Sequence, residues 1–150
     1  MNIVLTDQMF NIKHVYFTEP VTNTIIENSE FVKIIYSDQN MMLNGVYMLL
    51  YLKTTHVEQY FNKIKYVYNV EHDNIALSKI FKLEEDILDK YKSSKQKKYI
   101  IRDYLCNGNI KLFPSIHLDH PINVNTFILK VSGIWENEDE YGLTYKILPI

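Results

Sequence analysis

Three clusters in this 150-residue chain hold side chains able to do chemistry. The first is His117-Leu118-Asp119-His120, two imidazoles and a carboxylate in a row of four residues. Zn²⁺ accepts such ligands, but a complete site needs a third or fourth donor, and only Cys106 and His72 offer one. The segment also lies between Pro114 and Pro121, where a polar loop is expected in any case, so no metal is assigned. The second cluster is the acidic run Glu136-Asn137-Glu138-Asp139-Glu140. It lacks the ligand spacing and central glycine of a calcium loop. Its four carboxylates repel one another and suit a solvated turn, with contact to a basic neighbour in an assembly as a secondary use.

The third cluster is basic. Lys90, Lys92, Lys95, Lys97, Lys98 and Arg102 are interleaved with Tyr91, Tyr99 and Tyr104. Aromatic platforms beside cations are what non-specific single-strand binding requires, because bases stack while lysines follow the backbone. Lys63 and Lys65, on one face of a predicted strand, would extend such a groove. The candidate nucleic-acid residues are therefore Lys63, Lys65, Lys95, Lys97, Lys98, Tyr99 and Arg102. The competing reading is a solvated loop whose lysines complement a helix dipole. Catalysis has little support: the chain contains no nucleophile elbow, phosphate loop or HExxH motif, and it implies no cofactor.

The elements that must position these clusters are mostly strands. Asn11–Thr18, Phe31–Tyr36, Gly45–Lys53, Asn62–Val70 and Asn109–Phe113 read as β, the fourth by clean alternation of Ile64, Tyr66, Tyr68 and Val70 with polar residues. From Asp73 the period becomes helical, with Leu77, Ile80, Phe81, Ile87, Leu88 and Tyr91 on one side and Glu84, Glu85 and Asp86 on the wet side. Asp73 or Asn74 is the expected cap of this one long helix, about residues 74–92. Residues 93–98 read as a loop, and 99–106 as ambiguous with a short helix ending at Gly108.

The chain closes with two strands around the acidic turn. Phe127, Leu129 and Val131 share one side, and Leu143, Tyr145 and Ile147 alternate on the return. Trp135 and Tyr141 are expected to pair across the strands, a contact worth roughly 0.5–1.5 kcal/mol beyond its buried area. The fold class is mainly β with one long helix (α+β), in a single domain over residues 1–150. A small antiparallel barrel or sandwich closed by a C-terminal β-hairpin fits, and an OB-like barrel is one form of it if Asn11–Thr18 lies outside the count.

Composition narrows the setting. Net charge is −2, so there is no global pull toward nucleic acid or an anionic membrane. One cysteine excludes an internal disulfide and fits a reducing compartment. The longest apolar run, Val46 to Leu52, is far short of the roughly 20 residues that span a bilayer, and no signal peptide is read at the start. The usage of 15 Lys against one Arg, with 19 Ile, 14 Asn and 12 Tyr, is that of an AT-biased genome.

Asn28–Ser37 running into Leu43-Asn44-Gly45-Val46-Tyr47, Gly108-Asn109-Ile110-Lys111, and Lys130–Lys146 resemble a family of short, mostly uncharacterised proteins of nucleocytoplasmic large DNA viruses, the giant viruses. The resemblance supplies no catalytic residues. It implies a non-enzymatic virion structural protein, a minor capsid or cement component, assembled in host cytoplasm or a virus factory beside partners such as a major capsid protein. Single-stranded DNA binding by an OB-like barrel is the alternative. Tyr-rich surfaces and the apolar end Ile147-Leu148-Pro149-Ile150 favour docking over strand binding. Trp135, Tyr141 and Ile150 are the residues expected to take part.

Overall fold

The computed structural model describes residues 3–113 and 125–149. A 3₁₀ turn, Ile12–His14, leads into β1 (Val15–Phe17), followed by β2 (Val21–Thr22), β3 (Glu30–Ser37), β4 (Met42–Leu43), β5 (Val46–Tyr51), β6 (Thr54–Tyr60) and β7 (Lys63–Tyr68). The long helix α1 (Asn74–Tyr91) comes next, then β8 (Gln96–Lys98), the short helix α2 (Ile100–Leu105), β9 (Asn109–Leu112), β10 (Thr126–Glu136) and β11 (Glu140–Pro149). The protein is mainly β with one long helix, as the periodicities require.

An eight-stranded sheet runs β1-β3-β10-β11-β8, with β2 and β4 also on β3 and β5 on β10. It curls into a half-barrel. β6, β7 and β9 form a second, antiparallel sheet. β10 organises the larger sheet because it changes partner part-way. Residues 126–131 pair with β5, and 133–136 pair with β3. The change falls at a bulge between Val131 and Gly133. Gly45, at φ +107°, enters β5 beside the same point, where a side-chain carbon would lie 2.7 Å from the Val131 carbonyl oxygen. Only glycine takes that backbone without strain.

Alternating positions fill the concave side: Val32, Ile34 and Tyr36 from β3, Met48 and Leu50 from β5, and Phe127, Leu129, Val131 and Ile134 from β10 are all buried. α1 lays Leu77, Ile80, Leu83, Ile87 and Leu88 into this concavity. Tyr66 of the second sheet meets Phe127 edge-on at 5.4 Å, so the two sheets share one core.

The structure corrects several boundaries. Asn11–Thr18 divides into a 3₁₀ turn and a three-residue strand that belongs to the large sheet. Residues 96–98 form a strand rather than a loop, and Thr54–Tyr60 is a strand the sequence pattern did not mark. The helix consequently follows seven strands instead of the three counted for an OB-like order. Asp73 occupies the N-cap position of α1 but does not cap it. Its carboxylate accepts from the Lys53 amide at 3.1 Å, tying the helix start to the end of β5. Glu84 lies in the core, not on the wet side.

Candidate functional site

Two of the clusters singled out in the sequence neutralise each other. β8 runs parallel to the start of β11, pairing Gln96 with Glu140 and Lys98 with Gly142. That pairing sets the basic segment directly against the acidic turn. Lys98 reaches Glu140 at 3.2 Å, Lys95 donates to the Glu138 carbonyl at 3.0 Å, and Lys97 pairs with Asp89 of α1. Asp89 beside it raises the Lys97 ammonium above its usual value. Arg102 covers the ring of Tyr99 at 4.1 Å. The turn itself is held by Asn137, whose side-chain oxygen accepts from the amides of Asp139 and Glu140 at 2.9 and 2.8 Å. Lys97 and Lys98 are therefore paired with carboxylates at the surface, Lys95 is held on a carbonyl and Arg102 on the Tyr99 ring, while Lys63 and Lys65 belong to the other sheet.

Lys63 and Lys65 stand instead on the second sheet. Opposite Lys65 the register places Glu58 on one side and Lys111 on the other. This face carries Tyr60, 4.3 Å from the Lys111 ammonium and 5.8 Å from that of Lys65, while Lys63 lies over Phe113 at 5.0 Å. Among the described residues Glu58 is the carboxylate facing these lysines, held by His56 at 3.0 Å and Lys65 at 3.5 Å. The hydrogen bond from His56, with Lys65 beside it, keeps its carboxyl below the usual range. A groove of about 570 Å³ continues from Lys111 and Phe113 along Tyr104 and Tyr145 to Lys146. Burial, with Tyr104 and Glu84 adding to it, pushes the Tyr145 phenol up to about 12, and the charged residues among the described lining are Lys111 and Lys146.

The convex side of the eight-stranded sheet is a different surface. Register partners share a face, and five strands align Val21, Phe31, Trp135, Gly142 and Lys98 in one row. A second row is Leu49, Ile128 and Leu148, and Tyr16 pairs with Ile35 beside Met42. α1 packs on the opposite side, where Tyr91 meets Phe17 and Tyr141. Among the described residues no helix covers the convex face. Met42 is 72% exposed there, and Val21 and Tyr51 each 58%.

Trp135 and Tyr141 separate on this geometry. The bulge shifts the register so that Trp135 faces Gly142 and Tyr141 faces Glu136. Trp135 is half-buried on the convex face, its ring lying where a Gly142 side-chain carbon would be 2.8 Å away. Tyr141 is 1% exposed on the concave face and donates to the Leu88 carbonyl at 3.3 Å, so it is a core residue and not a docking one. Ile150 lies outside the described residues, as does His117-Leu118-Asp119-His120. Because Trp135 is only half-covered, Trp135→Ala should cost about 1–2 kcal/mol in urea unfolding, below the full core penalty. A loss above that range would mean the ring supports the concave core as well.

Sequence reasoning missed Tyr60, Lys111, Phe113 and Lys146 on one surface, and Val21, Phe31, Leu49 and Tyr51 on the other. Lys111, Lys146, Phe31, Leu49 and Tyr51 sit in strands whose alternation is readable, Tyr60 and Val21 in strands the pattern did not mark, and the register that joins them is not legible locally. Among the described residues no group of three His, Cys, Asp or Glu is placed to hold a metal, and no helix is long and apolar enough to cross a membrane. No protein-family model, curated protein or solved structure matches this chain.

Proposed function

We propose that this protein is a non-enzymatic structural component that docks through the convex face of its eight-stranded sheet, as a minor capsid or cement protein does. The observation that carries the reading is that face. Solvated faces of antiparallel sheets are normally polar. Here the outward positions hold Tyr16, Val21, Phe31, Ile35, Met42, Leu49, Tyr51, Ile128, Trp135 and Leu148 across six bonded strand pairs, in apolar patches separated by Lys33 and by the row Tyr47, Lys130 and Lys146. Exposed apolar patches rich in aromatics, with lysines between them, are characteristic of an interface. The resemblance to giant-virus proteins supplies the setting, a virion, and the class of partner, other structural proteins such as a major capsid protein.

The test is incorporation into particles. Quantitative mass spectrometry of purified virions is expected to find the protein at a fixed copy number. The double variant Val21→Asp, Met42→Asp changes two exposed positions, so its stability should stay within about 1 kcal/mol of wild type. Its incorporation should nevertheless fall at least about tenfold, since two charges would be desolvated at the contact. Absence of the wild-type chain from purified particles sinks the proposal, and so does undiminished incorporation of the variant.

A further inference from the structure

We propose that the β6-β7-β9 face and the groove beside it bind single-stranded nucleic acid, with bases stacking on Phe61 and Phe113 and phosphates held by Lys63, Lys65, Lys111 and Lys146. The proposal is independent of the docking reading and rests on different residues. It also moves the contact away from the 95–102 segment, where Lys97 and Lys98 pair with Asp89 and Glu140 and Lys95 donates to the Glu138 carbonyl.

Phe61 is the first reason. It forms the tip of the β6–β7 hairpin at φ +54°, in the left-handed region where glycine or asparagine is the easy choice, and its side chain is 84% exposed. A bulky residue there is a genuine outlier. The two-residue turn between Tyr60 and Lys63 calls for a positive φ here but not for an aromatic side chain, and the Phe61 ring meets that of Tyr60 edge-on at 4.9 Å at the hairpin tip. Strain retained in this way collects at binding sites. Phe113, 66% exposed at the end of β9, offers a second ring on the same face.

Charge is the second reason. The register pairs Lys65 with Lys111, the groove joins Lys111 to Lys146, and Lys146 pairs in turn with Lys130. A line of ammonium groups thus crosses from one sheet to the other. Among the described residues, only Lys65 of that line is paired with a carboxylate, Glu58. Tyr60 fixes Lys65 and Lys111 through its ring, which holds the cations at set positions without neutralising them. An acidic protein partner would need the lysines alone. The exposed rings between them favour a ligand with π-faces at regular intervals.

The experiment is fluorescence anisotropy of the full chain with labelled oligo-dT and, separately, oligo-rU. Binding is expected with a Kd on the order of 10 μM at low salt, and log K should fall against log salt with a slope of about −3, the value for some four phosphates on a single strand. Lys65→Gln with Lys111→Gln should flatten that slope by about 1.4. Phe61→Ala should weaken binding about tenfold and leave the slope unchanged. Lys95→Gln, Lys97→Gln, Lys98→Gln should bind like wild type. All substitutions sit on the surface, and matched thermal melts verify the folds. A preference between the two oligonucleotides identifies the sugar, and either preference supports the proposal. It is overturned if neither oligonucleotide binds at low salt, if the 95/97/98 variant loses binding while the 65/111 variant keeps it, or if polyglutamate competes as well as unlabelled oligo-dT.

Discussion

Glu84→Ala is expected to destabilise the fold by about 3–4 kcal/mol, measured by urea unfolding, although the residue is a glutamate in a helix. Glu84 is 0% exposed in the middle of α1. Its two carboxylate oxygens accept from the amides of Ile101 and Arg102, at 2.9 and 3.0 Å. Those are the opening amides of α2, whose own N-cap, Tyr99, supplies no side-chain acceptor. A helix start leaves its first amides without partners, and here another helix satisfies two of them across 17 and 18 residues of chain. Alanine would orphan both donors at about 1–3 kcal/mol each and leave a void beside them. α2 then loses the two hydrogen bonds that tie its start to α1.

The charge of Glu84 carries a second, separable expectation. Burial raises its carboxyl above the ordinary value of 4.5, opposed by the two amides and by Arg102. An acid with a raised folded pKa binds more protons when native than when unfolded. Its contribution is therefore most favourable below pH 4.5 and declines as pH rises through the folded value. Glu84→Gln cannot ionise and lacks that decline. The difference in unfolding free energy between Glu84→Gln and wild type should therefore shift in favour of the variant as pH is raised from 4.5 to 7. A difference that stays flat across that window would show that the amides fully offset burial.

Glu84 also shows what was legible in the sequence. Its position, four residues from both Ile80 and Leu88, lies within the apolar stripe that the helical period defines. Residue type argued for solvent and position argued for the core, and position decides because the two amides compensate the buried charge. The alternations of Val32, Ile34 and Tyr36, and of Phe127, Leu129 and Val131, carry straight into the concave core. Trp135 and Tyr141 fail as a pair for a different reason. A bulge adds a residue to one strand, which turns every later side chain to the other face, and alternation read along a single strand does not reveal it. The two interaction surfaces were hidden by long-range register. Lys65 and Lys111 become neighbours only through β7–β9 pairing, and Lys98 meets Glu140 only because β8 joins β11 in parallel. Loop closures across that much chain leave no local trace.

The bulge leads to the other large expected effect. Gly133→Ala should cost about 3 kcal/mol, at the upper end of what a single added carbon costs in a packed interior. A carbon at that position would lie 2.3 Å from the Val32 carbonyl oxygen and 2.6 Å from the Phe31 ring. The ring can rotate away, but the carbonyl belongs to the backbone of β3 and cannot yield without disturbing β3–β10 pairing. That pairing replaces β5 on one edge of β10 after Val131, while β11 stays on the other. Gly133 is thus where one strand is handed from one partner to the next, and the row Val21, Phe31, Trp135 and Gly142 lies immediately beyond it. The loss should consequently be local as well as global. Hydrogen exchange of the amides in 30–36 and 133–136 should quicken more than that of 126–131, which keep β5 and β11. Equal acceleration along all of β10 would mean that its two halves unfold as one unit and that the partner change at Val131 has no energetic consequence.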